Sequence, residues 1–300
     1  MKLLTRFNLI FIAIFGIGTL VAVWFAYLFL RNDAKQQVLG QAKLMMETTL
    51  ATRSYTTKQI RPLLNRLQRR NDAFLPQTVP AYSAVQVFNF VHNQNPDYSY
   101  KEATLNPTNL EDRASDWEAD VVNAFRNDAN LKDLHGERDT PTGKSLFYAH
   151  PIRVNDPSCL ECHSTPDRAP RSMIHQYGSA NGFGWKLHEV IGAQIVSVPE
   201  ALPVQIADRA LKSLIAYLVI VALIALLVLD AVLVATVIRP VAKLSHVADE
   251  ISQGKLDIAD IPIKGRDEIS VLASSFNRMK RSLVKAMRML EREEGGPGNA

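Results

Sequence analysis

Two stretches without charge, or nearly so, bracket the middle of the sequence and limit what the chain can fold into. Residues 8–30, NLIFIAIFGIGTLVAVWFAYLFL, carry no charged side chain over 23 residues. As a helix they would be about 35 Å long, enough to cross a hydrocarbon layer of about 30 Å. Residues 213–238, SLIAYLVIVALIALLVLDAVLVATVI, repeat the pattern, interrupted only by Asp230. Lys2 and Arg6 precede the first stretch as they would a signal peptide. Its apolar part is too long for one, however, and it ends in bulky residues where a cleavage site needs small ones. It therefore reads as an uncleaved anchor. The expected organisation is a tail over 1–7, a span over 8–30, a segment over 31–210 and a second span over 211–238. The remainder follows from residue 239.

The segment between the spans is 180 residues long. Loops of that length translocate largely regardless of their charge, and the short basic tail favours an N-terminus on the inner side. The expectation is a bacterial inner-membrane protein with both termini cytoplasmic and the long segment periplasmic. Asp230 is the single charge within a span, where ionisable groups are costly and often functional. Its place about eight residues from the inner end also allows solvation by a partner helix or by water. A composition of 47% hydrophobic and 21% charged residues with a net charge of +4 argues against disorder and against a surface that coats nucleic acid.

Within the long segment the texture changes along the chain. Residues 33–70 show apolar positions at helical spacing (Val38, Ala42, Met45/Met46, Thr49/Leu50), so a helix should continue outward from the first span, with Pro62 kinking it or starting another. A Pro-marked stretch follows at Pro76, Pro80, Pro96 and Pro107. Trp117, Val121, Ala124 and Phe125 then share one face of a short helix capped by Ser115 or Asp116. From Gly143 the period becomes two. Residues 144–154, KSLFYAHPIRV, read as a strand with Leu146, Tyr148, His150, Ile152 and Val154 on one face, and residues 189–199, EVIGAQIVSVP, read as a second. The expected fold class is α+β.

Both cysteines of the chain lie between those strands, in DPSCLECHSTPD (156–167). Two thiols separated by two residues and followed by His is the spacing that attaches haem covalently. On one turn of backbone the sulfurs reach two vinyl groups, and the next side chain hangs beneath the ring as an iron ligand. Cys159 and Cys162 would hold one haem c, and His163 would be the proximal ligand. A disulfide or a thioredoxin-type redox pair needs no adjacent His. A structural zinc site would need a second Cys/His cluster, which the sequence lacks.

The sixth iron position has several candidates: Met45, Met46 and Met173, and the histidines His92, His135, His150, His175 and His188. His150 stands out because it lies on a strand just before the motif. Tyr55 and Tyr177 are weaker alternatives. Arg168 and Arg171 are candidates for pairing with haem propionates.

Behind the second span, Arg239-Pro240 opens a helix with apolar positions Val241, Leu244, Val247/Ala248 and Ile251, ending at Gly254. A connector follows with alternating Leu256, Ile258, Ile261 and Ile263. Asp267-Glu268 then open a second helix with Ile269, Leu272, Phe276, Met279, Leu283, Ala286 and Leu290 in heptad spacing. Two short heptad helices joined by an extended connector behind a membrane helix resemble a HAMP domain, here over 239–290. That resemblance implies a parallel four-helix bundle built by two chains, so a homodimer able to shift between packings. Residues 291–300, EREEGGPGNA, read as a flexible tail with no room for an enzyme, which would leave the output to a separate cytoplasmic protein of kinase, cyclase or chemotaxis type.

Four segments make residues 42–200 similar to the Tll0287-like family of haem-sensor domains: RSYTTKQIRPLL (53–64), NPTNLEDRASDWE (106–118), HPIRVNDPSCLECH (150–163) and YGSANGFGWKLHEVIGAQIVSVP (177–199). The resemblance implies a PAS-like sheet carrying one covalent haem, often placed ahead of HAMP and an output domain. Together these features describe a membrane sensor subunit that answers to iron redox state or to a diatomic gas. A membrane-anchored monohaem electron-transfer cytochrome is the alternative. No nucleophile constellation, phosphate-binding loop or kinase histidine box is present, so catalysis is not expected.

Overall fold

The computed structural model describes residues 3–71, 74–141, 143–255, 257–262 and 265–294. The chain divides into two compact units, residues 24–212 and residues 1–23 with 213–300. In chain order the larger elements are α1 (Leu3–Tyr55), α2 (Arg61–Asn71), α3 (Pro80–Gln94), β1 (Ser99–Thr104), α4 (Asp116–Asn127), β2 (Leu134–Thr140), β3 (Gly143–Arg153), α5 (Leu160–His163), α6 (Arg171–Tyr177), β4 (Val190–Pro199), α7 (Ala201–Leu233), α8 (Arg239–Ser252) and α9 (Glu268–Glu294).

In the unit of residues 24–212, four strands form one antiparallel sheet in the order β1-β4-β3-β2. Alternation along β3 sends Leu146 and Tyr148 to one face, where they meet Val196 and Val198 of β4, Val38, Ala42, Met45 and Met46 of α1, and Phe88 of α3. Phe147 and Ala149 point the other way, with Ala103, Ala193 and Ile195, and are covered by Val121, Val122 and Phe125 of α4. Central strand β4 is therefore buried on both faces, and its run of small and branched residues is broken by the buried Gln194. Each large side chain that α4 buries contributes roughly 1.5–3 kcal/mol.

Ser115 caps α4 through a capping box, its backbone N–H donating to Glu118 Oε2 at 2.7 Å. Between α1 and α2 lies one π turn, Thr56–Ile60, and Pro62 is the second residue of the new helix. The expected helix over 33–70 is thus present, with a π turn where a kink or restart was anticipated. Helix α3 and strands β1 and β2 were not anticipated. Pro80 opens α3 instead of marking loop. β1 (SYKEAT) and edge strand β2 (LHGERDT) are too polar to announce themselves.

Among the described residues, α1 and α7 are the helices with stretches long and apolar enough to cross a membrane, of mean hydropathy 2.5 and 3.1; their residues 3–23 and 213–233 belong to the other unit. A π turn at Val234–Ile238 leads from α7 into α8. Leu244, Val247 and Ile251 of α8 pack with Ile261 of the connector and Ala273 of α9, joined by Ile258, Ile269 and Phe276. The apolar positions Val241, Leu272, Met279 and Leu283 are exposed. Heptad spacing had put all of α9's apolar positions in one seam. The intrachain core instead takes Ile269, Ala273 and Phe276, leaving Leu272, Met279 and Leu283 on a second face. The connector is strapped to α9 by Asn277, whose amide bonds both the N–H and the C=O of Ile261 at 2.9 Å. Lys280 adds a bond to Ile258 O at 2.6 Å. Leu256, Ile263, the side chain of Leu290 and the tail from 295 lie outside the described residues.

Candidate functional site around the CxxCH turn

The cysteine motif is folded by its own first residues. Asp156 accepts from Ser158 N–H at 2.9 Å, Pro157 fixes the first position of a 3₁₀ turn, and α5 follows at once. Cys159 and Cys162 are half-buried free thiols. Burial pushes both thiols up from their ordinary value, against the opposing pull of Arg61, which acts on both, and of Arg53 on Cys159. A redox pair of thioredoxin type needs the reverse, a lowered thiol pKa. Among the described residues no group of three or more His, Cys, Asp or Glu is arranged to hold a metal ion by itself, as a structural zinc site would require.

His163 is held from three sides. Its Nδ1–H donates to Gly182 O at 2.8 Å, Thr108 Oγ1 lies 3.4 Å from the same nitrogen, and the ring stacks on Trp185 at 3.7 Å and 10°. Burial lowers the imidazole's pKa, so the ring is neutral near neutrality. With the proton on Nδ1, Nε2 keeps its lone pair for a metal, the usual arrangement of a ligating histidine.

The loop that supplies this carbonyl needs glycine. Gly182 has φ +84, and a Cβ there would lie 2.0 Å from Thr108 Oγ1 and 2.9 Å from its Cα. Asn106 Oδ1 accepts from Gly182 N–H at 3.3 Å, while Gly184 N–H and Trp185 N–H bond the carbonyls of Ser164 and His163. Segments 106–118 and 177–199 therefore meet the motif in space.

Arg53 and Arg61 are the cations near the thiols, and sequence reading did not single them out. A straight α-helix would set them about 80° apart; the wider π turn between them reduces that angle. Arg61 donates to Ser158 Oγ at 3.0 Å. Arg53 Nη1 bonds both carboxylate oxygens of Glu102, at 2.6 Å for Oε1, and Tyr100 donates to the same Oε1 at 2.8 Å.

Glu102 begins a polar row across the sheet, Glu102–Gln194–His150, in direct register on the face toward α1. His150 and Gln194 line a cavity of about 330 Å³ with Leu50, Arg53, Lys132, Arg153 and Asn155. Gln194 is 2% exposed and its Oε1 has no partner; Ser164 Oγ, next to His163, is also buried and unpartnered. Burial lowers the pKa of His150, with Asp133 opposing.

The other candidates lie elsewhere. Met45 and Met46 are packed in the α1–sheet core, and Thr49 Oγ1 lies 3.9 Å from Met46 Sδ. Met173 is buried in α6, and Tyr55 is 58% exposed. Tyr177 packs edge-on against Phe74. His92 bonds Tyr98 O at 2.6 Å, and His135 stacks on Tyr148. His188 sits at φ +65 in the loop before β4, and His175 is exposed on α6. Arg168 and Arg171 are exposed, whereas Arg53 and Arg61 face the thiols.

The model of the Tll0287-like family matches residues 31–199, more than half of the chain, and the HAMP domain model matches residues 232–285. The chain belongs to the Tll0287-like family and carries a HAMP domain behind it. No curated protein matches it. Among solved structures, the crystal structure of the cyanobacterial heme-protein Tll0287 is similar at 17% identity and a TM-score of 0.42, covering 54% of this chain and 95% of that one.

Proposed function

We propose that the protein is a membrane-bound c-type haem sensor subunit, with Cys159 and Cys162 as the thioether positions and His163 as the proximal iron ligand. The observation that carries this reading is the Nδ1–H bond of His163 to Gly182, which leaves Nε2 as the free donor beside two half-buried thiols. When bound, the haem supplies an iron whose oxidation state or sixth ligand can change. Of the candidates for the sixth position, His150 is the one on a cavity bordered by Arg53, one of the two cations that act on Cys159. Its neutral ring suits ligation. Arg53 and Arg61 join Arg168 and Arg171 as cations proposed for propionate pairing.

The relay in this reading starts at β4, which ends at Pro199, one residue before α7. That residue, Glu200, donates its N–H to Lys144 O at 2.9 Å, and its carboxylate lies 3.9 Å from Lys35 of α1; Lys35 also pairs with Glu137 at 2.5 Å. The PAS-like haem domain is placed in the periplasm, α1 and α7 in the inner membrane, and α8–α9 in the cytoplasm as half of a four-helix bundle. The exposed face of Val241, Leu272, Met279 and Leu283 would be covered by the second chain of a homodimer. Output would pass to a separate cytoplasmic protein. An electron carrier would have no use for the HAMP module.

Haem staining of the denatured protein tests the site. Colour should persist on the wild-type band and vanish after Cys159→Ala with Cys162→Ala, while His163→Ala keeps the covalent colour and shifts the Soret band. A wild-type chain that loses its pigment to acidified acetone would end this reading.

A further inference from the structure

Asn8 of α1 and Asp230 of α7 are joined by one hydrogen bond and left with one unsatisfied oxygen each. Asn8 Nδ2 donates to Asp230 Oδ2 at 3.0 Å. Asn8 Oδ1 and Asp230 Oδ1 are both buried and have no partner. Both orphans are acceptors, so neither can satisfy the other while the acid is a carboxylate. A proton on Asp230 Oδ1 changes that, because it can be donated to Asn8 Oδ1. An acid and a primary amide then face each other through two parallel bonds, N–H to carboxyl oxygen and O–H to amide oxygen, and no buried polar atom remains unmatched.

We propose that Asp230 is a proton-binding site within the bilayer, and that its neutral acid closes a two-bond clasp with Asn8 that fixes the register of the two spans. Hydrocarbon itself offers the two orphaned oxygens no donor. Among the described residues of α1 in this unit, Arg6 is the one charged side chain, and two residues before Asn8 it points about 200° away around the helix. From 213 to 238, α7 and its π turn contain no charge besides Asp230, and the next is Arg239, at the start of α8. The only bond formed is O–H, with the proton drawn from the aqueous phase. Losing it would leave two lone-pair-bearing oxygens side by side and open the clasp to a single bond.

This inference rests on the proposed membrane placement of the spans and not on the haem. The full chain, with isotope-labelled aspartate carboxyls, is reconstituted in phosphatidylcholine vesicles and examined by infrared spectroscopy near neutral pH. A protonated-carboxyl band is expected in the wild type, gone in Asp230→Asn and shifted in Asn8→Leu. Asp230→Asn preserves two-bond pairing as an amide pair and serves as the folded control. Alkaline washing of the same vesicles tests membrane residence separately. Retained protein without the band overturns the clasp alone, as does a band that Asn8→Leu leaves unmoved. Release from the vesicles overturns the membrane placement and the clasp with it.

Discussion

Replacing Gly182 by Ala isolates the contact that holds His163. Gly182 adopts φ +84, where an L-residue costs about 1 kcal/mol, and the added methyl would lie 2.0 Å from Thr108 Oγ1 and 2.9 Å from Thr108 Cα. Rotating the Thr108 hydroxyl relieves the first clash only. The Cα belongs to the backbone, so the loop itself must shift, an overpacking cost of roughly 2 kcal/mol. The expected total is about 3 kcal/mol. Gly184 supplies the control: its φ is +80, but nothing lies within 4 Å of the added Cβ, so Gly184→Ala should cost only the backbone term of about 1 kcal/mol. The gap of about 2 kcal/mol corresponds to roughly 4–8 °C in Tm for a unit of this size. Differential scanning of the full chain in detergent, following the transition of the sheet-bearing unit, measures it. The shift that opens the loop also lengthens the Gly182 O to His163 Nδ1 bond, so the Nδ1 proton should exchange faster in Gly182→Ala than in Gly184→Ala. Equal Tm values and equal exchange in the two variants would refute the claim that close approach to Thr108, and not backbone conformation, demands glycine here.

Three further outcomes follow from the same structure. Glu102→Leu leaves the Arg53 guanidinium without its partner and should destabilise the unit by about 3 kcal/mol, with Arg53→Met restoring most of the loss, as read by denaturant titration. Burial, seconded by Glu102, raises the Asp112 carboxyl from 3.8 to about 6, so the folded unit binds this proton more tightly than the unfolded chain. Its contribution is complete below about pH 4 and lost as pH rises through about 6, and Asp112→Asn should remove that slope from a plot of Tm against pH. Asn277→Ala strips both bonds from Ile261 and should cost about 2 kcal/mol locally, raising amide exchange at Ile261 roughly thirtyfold.

Side chains whose environment is set by near neighbours were legible in the sequence. The alternation in β3 told which of its residues share a face, Ser115, one of two candidate caps, announced the start of α4, and the cysteine spacing located the candidate site. Contacts between distant segments were not legible. Glu102 reads as a surface charge in a short polar stretch, and the cation that compensates its burial, Arg53, stands 49 positions earlier on another element. The same holds for His163, whose partners stand 19 and 55 positions away. A glycine cluster between 178 and 184 signals an unusual loop, but not which carbonyl it presents. The π turn at Thr56–Ile60 has no sequence signature in TTKQI, so the convergence of Arg53 and Arg61 could not be anticipated either.

Glu200 is the whole of the joint between β4 and α7. A link of one residue has only two soft torsions, and with its amide pinned to Lys144 O there is no slack in which a displacement of the strand could dissipate. In the proposed relay, strand and helix would act as crank and shaft, with a twist at the end of β4 turning the first turn of α7. Inserting flexible residues at that point would uncouple them while leaving the sheet and the helix each intact.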